Sequence, residues 1–302
     1  MLSEKPWKAE AFVRLFASVM VAAYAGSLLV SAVHVWRDGV KVGWPFFPLT
    51  AAALLFLGFT LVMIRKPWQL ERFLPRVIAL LVCFYVGFFL GFWVHRLAGV
   101  SPPTARHILL SALALQGATL VLIASFVREH DLSWGDAFGL TNAPQRAAMW
   151  GFIAACIFVP CALQMKQISY GLLKRMEEPH FKPEEQQAVQ ALTTTRSWWA
   201  RIALGVVTII MAPVAEETFF RGIMYPVVKR AGYPRLALWG TSLLFAAIHV
   251  NLMTFVPLFA LAMLLTLLYE RTNNLLAPIT AHSLFNAMNF ILLYAVERAD
   301  TS

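Results

Sequence analysis

Apolar residues fall in long unbroken runs, separated by short polar or Pro-rich breaks. A helix needs about 20 apolar residues to cross a bilayer. The runs predict spans at roughly 12–35, 46–64, 77–95, 107–127, 147–165, 199–217, 236–250, 253–269 and 275–295. The run at 236–250 is short and could start earlier, near Tyr233. The pattern therefore predicts an all-α fold, a polytopic membrane helix bundle of about eight or nine transmembrane helices. The breaks fit that reading. Arg65-Lys66-Pro67-Trp68 opens a basic loop, and Ser101-Pro102-Pro103 interrupts the chain before the fourth span. Ser133-Trp134-Gly135-Asp136 has the form of a capping box opening a short interfacial helix. Trp36, Trp44, Trp68, Trp93, Trp134, Trp198 and Trp199 lie near predicted span ends, where indole rings suit the headgroup level.

Composition sharpens the picture. The chain is 302 residues, 59% hydrophobic and only 14% charged, against about 25% charged in a usual soluble domain. Its net charge of +9 fits Lys and Arg gathered in loops beside anionic lipid. The basic residues are scattered and carry no nucleic-acid motif, so nucleic acid is not an expected partner. Basic loops place the N-terminus, 65–76, 128–146 and Lys229-Arg230 with Arg235 on the cytoplasmic side. Cys83, Cys156 and Cys161 lack metal or disulfide spacing and read as small packing residues. The polar stretch 166–197, with a helix start at Pro183, separates an N-terminal helical half from a C-terminal half. The domains expected are 1–130, N-terminal transmembrane helices of unrecognised role, and 131–302.

Ionisable side chains within membrane helices are costly and mark function. His34, His95, His107 and His130 sit near span ends and read as interfacial. The second half differs. Glu216 and Glu217 follow an apolar run ending Met211-Ala212-Pro213-Val214-Ala215. Arg221 is four residues beyond Glu217, so the two share a helix face and can pair. Glu216 points about 100° away, outside that pair. His249 ends the run Phe245-Ala246-Ala247-Ile248, and His282 and Asn286 share a face of the last helix at i,i+4 spacing. The plainer reading of each is local: an interfacial ion pair, an interfacial histidine, a helix–helix hydrogen bond.

In series, Glu-Glu-x-x-x-Arg at 216–221, Phe-x-x-x-His at 245–249 and His-x-x-x-Asn at 282–286 resemble the motifs of the CAAX protease and bacteriocin-processing family, also called Abi. That family includes the type II CAAX prenyl endopeptidases. The resemblance covers roughly 133–296, and the stretch from Tyr269 to Ile279 also looks like the family's approach to its last motif. It implies a glutamate-dependent intramembrane endopeptidase acting on a peptide, a prenylated CAAX-type protein or a membrane protein. By that analogy Glu216 is the base that activates water and His249 assists it. Glu217 orients the site through Arg221, and His282 and Asn286 stabilise the oxyanion. Two His and a Glu are also a zinc ligand set, but no His-Glu-x-x-His is present. No tightly bound cofactor is the reading taken, with divalent zinc as the alternative. The other partners implied are the lipid bilayer and a peptide or lipidated substrate, and the location is multi-pass in a prokaryotic plasma membrane. A non-enzymatic self-immunity factor or scaffold of the same family is the alternative function. A transporter with carboxylate proton relays fits less well, because no repeated halves are visible.

Overall fold

A computed structural model describes residues 5–37, 105–175, 195 and 197–301. The expected spans at 46–64 and 77–95, Cys83, His95, Pro183 and most of the polar stretch lie outside the described residues. The described chain is helical, with no strand among those residues. The helices are α1 (Ala9–Arg37), α2 (Ala105–Glu129), α3 (Trp134–Phe138), α4 (Pro144–Arg175), α5 (Trp198–Arg230), α6 (Pro234–Ala247), α7 (Leu252–Thr272) and α8 (Leu276–Thr301). Six stretches, in all but α3 and α6, are long and apolar enough to cross a membrane. The protein is thus a polytopic membrane protein.

Two compact units are distinguished. Lys8–His130 forms one, in which α1 packs along α2 and Arg14 pairs with Glu129. Asp131–Ser302 forms the other, together with the N-terminal segment ending at Trp7. In this second unit α4 lies along α7 and α8, and α6 along α7. Helices in lipid gain little from the hydrophobic effect against one another, so close approach of small residues carries the packing. Ala215, Ala237, Ala246, Ala262, Ala277 and Ala281 are accordingly almost wholly buried. Large aliphatics such as Ile157, Ile210, Leu252 and Ile291 are exposed instead, as lipid-facing residues should be.

Local chemistry sets the helix boundaries. Ser133 caps α3: its Oγ accepts from Asp136 N–H at 3.2 Å, the N-cap arm of the capping box expected there, and donates to the Asp136 carboxylate at 2.6 Å. Asn273, left-handed at φ 50°, closes α7. The buried Asn274 then accepts from Leu276 N–H at 2.8 Å to start α8, while its amide donates to Asn142 O at 2.7 Å.

Three expectations change. The 236–250 span is a 14-residue helix, about 21 Å at 1.5 Å per residue, too short for the ~30 Å hydrocarbon core. The 199–217 span runs on to Arg230 as one 33-residue helix, so Glu216 and Glu217 sit in mid-helix rather than at a helix end. Cys156 and Cys161 are exposed on α4, not packed inside.

Candidate active site

Helix α5 passes through two prolines that would ordinarily break it, because proline has no N–H and clashes with the carbonyl four residues back. The helix widens instead. Val207–Met211 and Thr218–Met224 are π-helical, and each ends two residues before a proline, Pro213 or Pro226. π segments are rare and concentrate at functional sites. Glu216 and Glu217 lie in the α-helical turn Ala212–Glu217 between them.

Glu217 is fully buried. Its Oε1 accepts from Arg221 Nη1 at 2.7 Å and faces His282 Nδ1 at 2.8 Å. The Arg221 pairing is the one the i,i+4 spacing anticipates. The guanidinium is also buried and donates through Nη2 to the Ala262 carbonyl on α7 at 3.0 Å. Its face lies 4.5 Å from the Phe245 ring centre, a contact that gains strength once desolvated. A buried charge is tolerated only when paired and hydrogen-bonded, and these contacts provide that. Glu217 Oε2 is buried with no hydrogen-bond partner among the described residues.

Phe245 links the motifs. Besides Arg221, its ring meets His282 edge-on at 5.7 Å and His249 at 4.9 Å. The sequence reading treats Phe245 only as part of a motif; its i,i+4 spacing to His249 was the available signal. His249 Nδ1 lies 2.7 Å from the Phe245 carbonyl. A carbonyl can only accept, so Nδ1 carries a proton and Nε2 keeps its lone pair when the ring is neutral. His249 is half-buried in the turn after α6. The next residue, Val250, is left-handed at φ 46°, a conformation a β-branched residue rarely adopts.

Glu216 is half-buried, and its carboxylate, like that of Glu217, acts electrostatically on Arg221. Asn286 lies one turn beyond His282 on α8 and donates through Nδ2 to the Thr208 carbonyl of α5 at 2.8 Å. The structure therefore brings Glu217, Arg221 and His282 into direct contact and joins His249 to them through Phe245. Asn286 is anchored to the first π segment. Thr208, Ala262 and Trp7 were not singled out from sequence, because backbone acceptors and distant donors leave no motif. Trp7 donates its indole N–H to the Gly222 carbonyl at 2.9 Å.

A catalytic zinc takes three protein ligands. Among the described residues no three His, Cys, Asp or Glu side chains are grouped to hold a metal. Glu217 Oε1 is already shared by Arg221 and His282. The zinc alternative does not fit this donor set.

Residues 197–288 match the family model described as type II CAAX prenyl endopeptidase Rce1-like. The uncharacterized protein YpbD of Bacillus subtilis (strain 168) is 36% identical over 83 residues, 26% of this chain and 40% of that protein. The chain thus spans less than half the length of this curated relative. No solved structure matches the chain. The segment similar to this family model contains Glu216, Glu217, Arg221, His249, His282 and Asn286.

Proposed function

We propose that the protein is a glutamate-dependent intramembrane endopeptidase. The observation that carries this reading is the buried Glu217–Arg221–His282 cluster, seated on the same Phe245 ring as His249. Side chains from α5, α6 and α8 meet there, and a set of independent local contacts would not need to converge.

In the mechanism, Glu216 takes a proton from water while His249 Nε2 holds that water in place. The water oxygen bonds to the scissile carbonyl carbon, and the carbonyl oxygen becomes an oxyanion. His282 and Asn286 donate to it in a water-poor setting, where such donors act most strongly. His282 Nδ1 is committed to Glu217, so Nε2 donates only when the ring carries both protons. Collapse breaks the C–N bond, and the proton held by Glu216 passes to the leaving amine. The products are one carboxylic acid and one amine.

The substrate class we infer is a prenylated peptide with a C-terminal CAAX-type sequence, presented from the bilayer of a prokaryotic plasma membrane. The test is cleavage of a farnesylated CAAX peptide by the full chain in liposomes, with the released tripeptide measured by mass spectrometry. Glu216→Gln is expected to lose on the order of 10²–10⁴-fold in rate while inserting normally. Wild-type turnover by that variant overturns the assignment of Glu216. Absence of cleavage by the wild type leaves the non-enzymatic alternative.

A further inference from the structure

The first π segment leaves a backbone acceptor beside the candidate oxyanion donor. Ala212 N–H reaches back five residues to Val207 O. The next N–H in that register would belong to residue 213 and serve the Thr208 carbonyl. Residue 213 is proline, which has none. That carbonyl instead receives Asn286 Nδ2 at 2.8 Å, from a helix 78 residues further along the chain.

We infer that Pro213 is a positioning residue for Asn286. By withholding a backbone donor from Thr208, it creates the acceptor that holds the Asn286 amide. This rests on the reading of Asn286 as an oxyanion donor.

The physical case has three parts. An unpaired carbonyl within a membrane helix cannot turn to bulk water, so it must find a protein donor. The terminal torsion of an Asn side chain is broad and would otherwise leave its amide loosely oriented. The amide nitrogen carries two protons in one plane. With one held on Thr208, the direction of the other is set before any oxyanion forms, as preorganised stabilisation requires. The second π segment is related but not identical. Tyr225 N–H reaches back five residues to Phe220 O, so the same register assigns Pro226 to the Arg221 carbonyl, and the neighbouring Gly222 carbonyl accepts from the buried Trp7 indole at 2.9 Å. In both places a proline follows a π segment, and a side chain distant in sequence donates to a carbonyl of that segment.

The experiment uses the full chain labelled with 15N-asparagine in detergent micelles. The Asn286 side-chain amide is identified as the signal lost in Asn286→Ala. In the wild type one proton of that amide is expected to be protected from solvent exchange. In Pro213→Ala, residue 213 regains an N–H that can serve Thr208, and the protection should disappear. Pro213→Ser restores the same N–H should the Ala variant fold poorly. On a farnesylated CAAX peptide, kcat of either variant should fall by about ten- to a hundred-fold, part of the ~10²–10³ expected for losing an oxyanion donor, with KM unchanged. Retained protection in a folded Pro213 variant overturns the inference. Lost protection with unchanged kcat overturns the positioning role. If the wild type cleaves nothing, the proposed function fails, and the amide signal alone still decides whether Pro213 sets Asn286.

Discussion

His282 Nδ1 lies 2.8 Å from Glu217 Oε1, the oxygen that also accepts from Arg221 at 2.7 Å. One buried oxygen thus joins α5 to α8 and carries the negative charge facing the guanidinium. Glu217→Gln keeps the shape and removes that charge. Arg221 then lacks its counter-ion, and the loss should approach the ~3–5 kcal/mol of a broken buried pair. Thermal unfolding in detergent measures it, and a midpoint equal to the wild type would contradict the assigned burial.

Arg221→Ala should be equally damaging, since it strands Glu217. Arg221→Lys is the more informative change. Lysine restores a charge but not the planar fork, so the second bond to Ala262 O and the flat contact on Phe245 are lost. Its midpoint should fall between those of wild type and Arg221→Ala. A Lys variant no more stable than Ala would show that the geometry matters and the charge does not.

Phe245→Leu removes the ring under Arg221, His282 and His249 while keeping an apolar side chain. A desolvated cation–π contact is worth about 2 kcal/mol, and each ring pair adds about 0.5–1.5 kcal/mol. The variant should lose stability on that scale. It should also cleave the farnesylated peptide more slowly, because both histidines lose their common support. Full activity would show that Phe245 does not seat them.

Gly222 permits a close approach that no other residue allows. A Cβ there would stand 2.7 Å from Phe138 Cε1 and 2.8 Å from Cδ1, on a fully buried ring. Gly222→Ala should cost about 1–3 kcal/mol through overpacking. Phe138→Leu combined with it should recover part of that loss, because neighbouring sites couple. Purely additive losses in the four-variant cycle would place the strain elsewhere.

Trp7→Phe keeps an aromatic ring near Phe138, now 6.2 Å away, and removes the indole N–H. The Gly222 carbonyl then loses a buried donor, at a cost of about 1–3 kcal/mol. Thermal unfolding of the variant checks it, and no change would mean the carbonyl finds another donor.

Much of this protein is legible in its sequence, because the deciding forces are local. The length of an apolar run decides whether a helix can cross lipid. Ser133 and Asp136 cap a turn three residues apart. Glu217 and Arg221 pair because a helix brings i and i+4 together. The motif series at 216–221, 245–249 and 282–286 marks the polar side chains that the Rce1-like match later covers. What the tertiary structure decided is where distant donors and acceptors meet. Nothing in the spacing joins His282 to Glu217, 65 residues away, or Asn286 to the Thr208 carbonyl. A proline inside a helix withholds a backbone donor, yet α5 continues through Pro213 and Pro226. The structure supplies what sequence distance hides: side chains from elsewhere donate to the carbonyls of Thr208 and Gly222 in the two π segments. A backbone acceptor leaves no mark on residue type, so only the packed fold could reveal it.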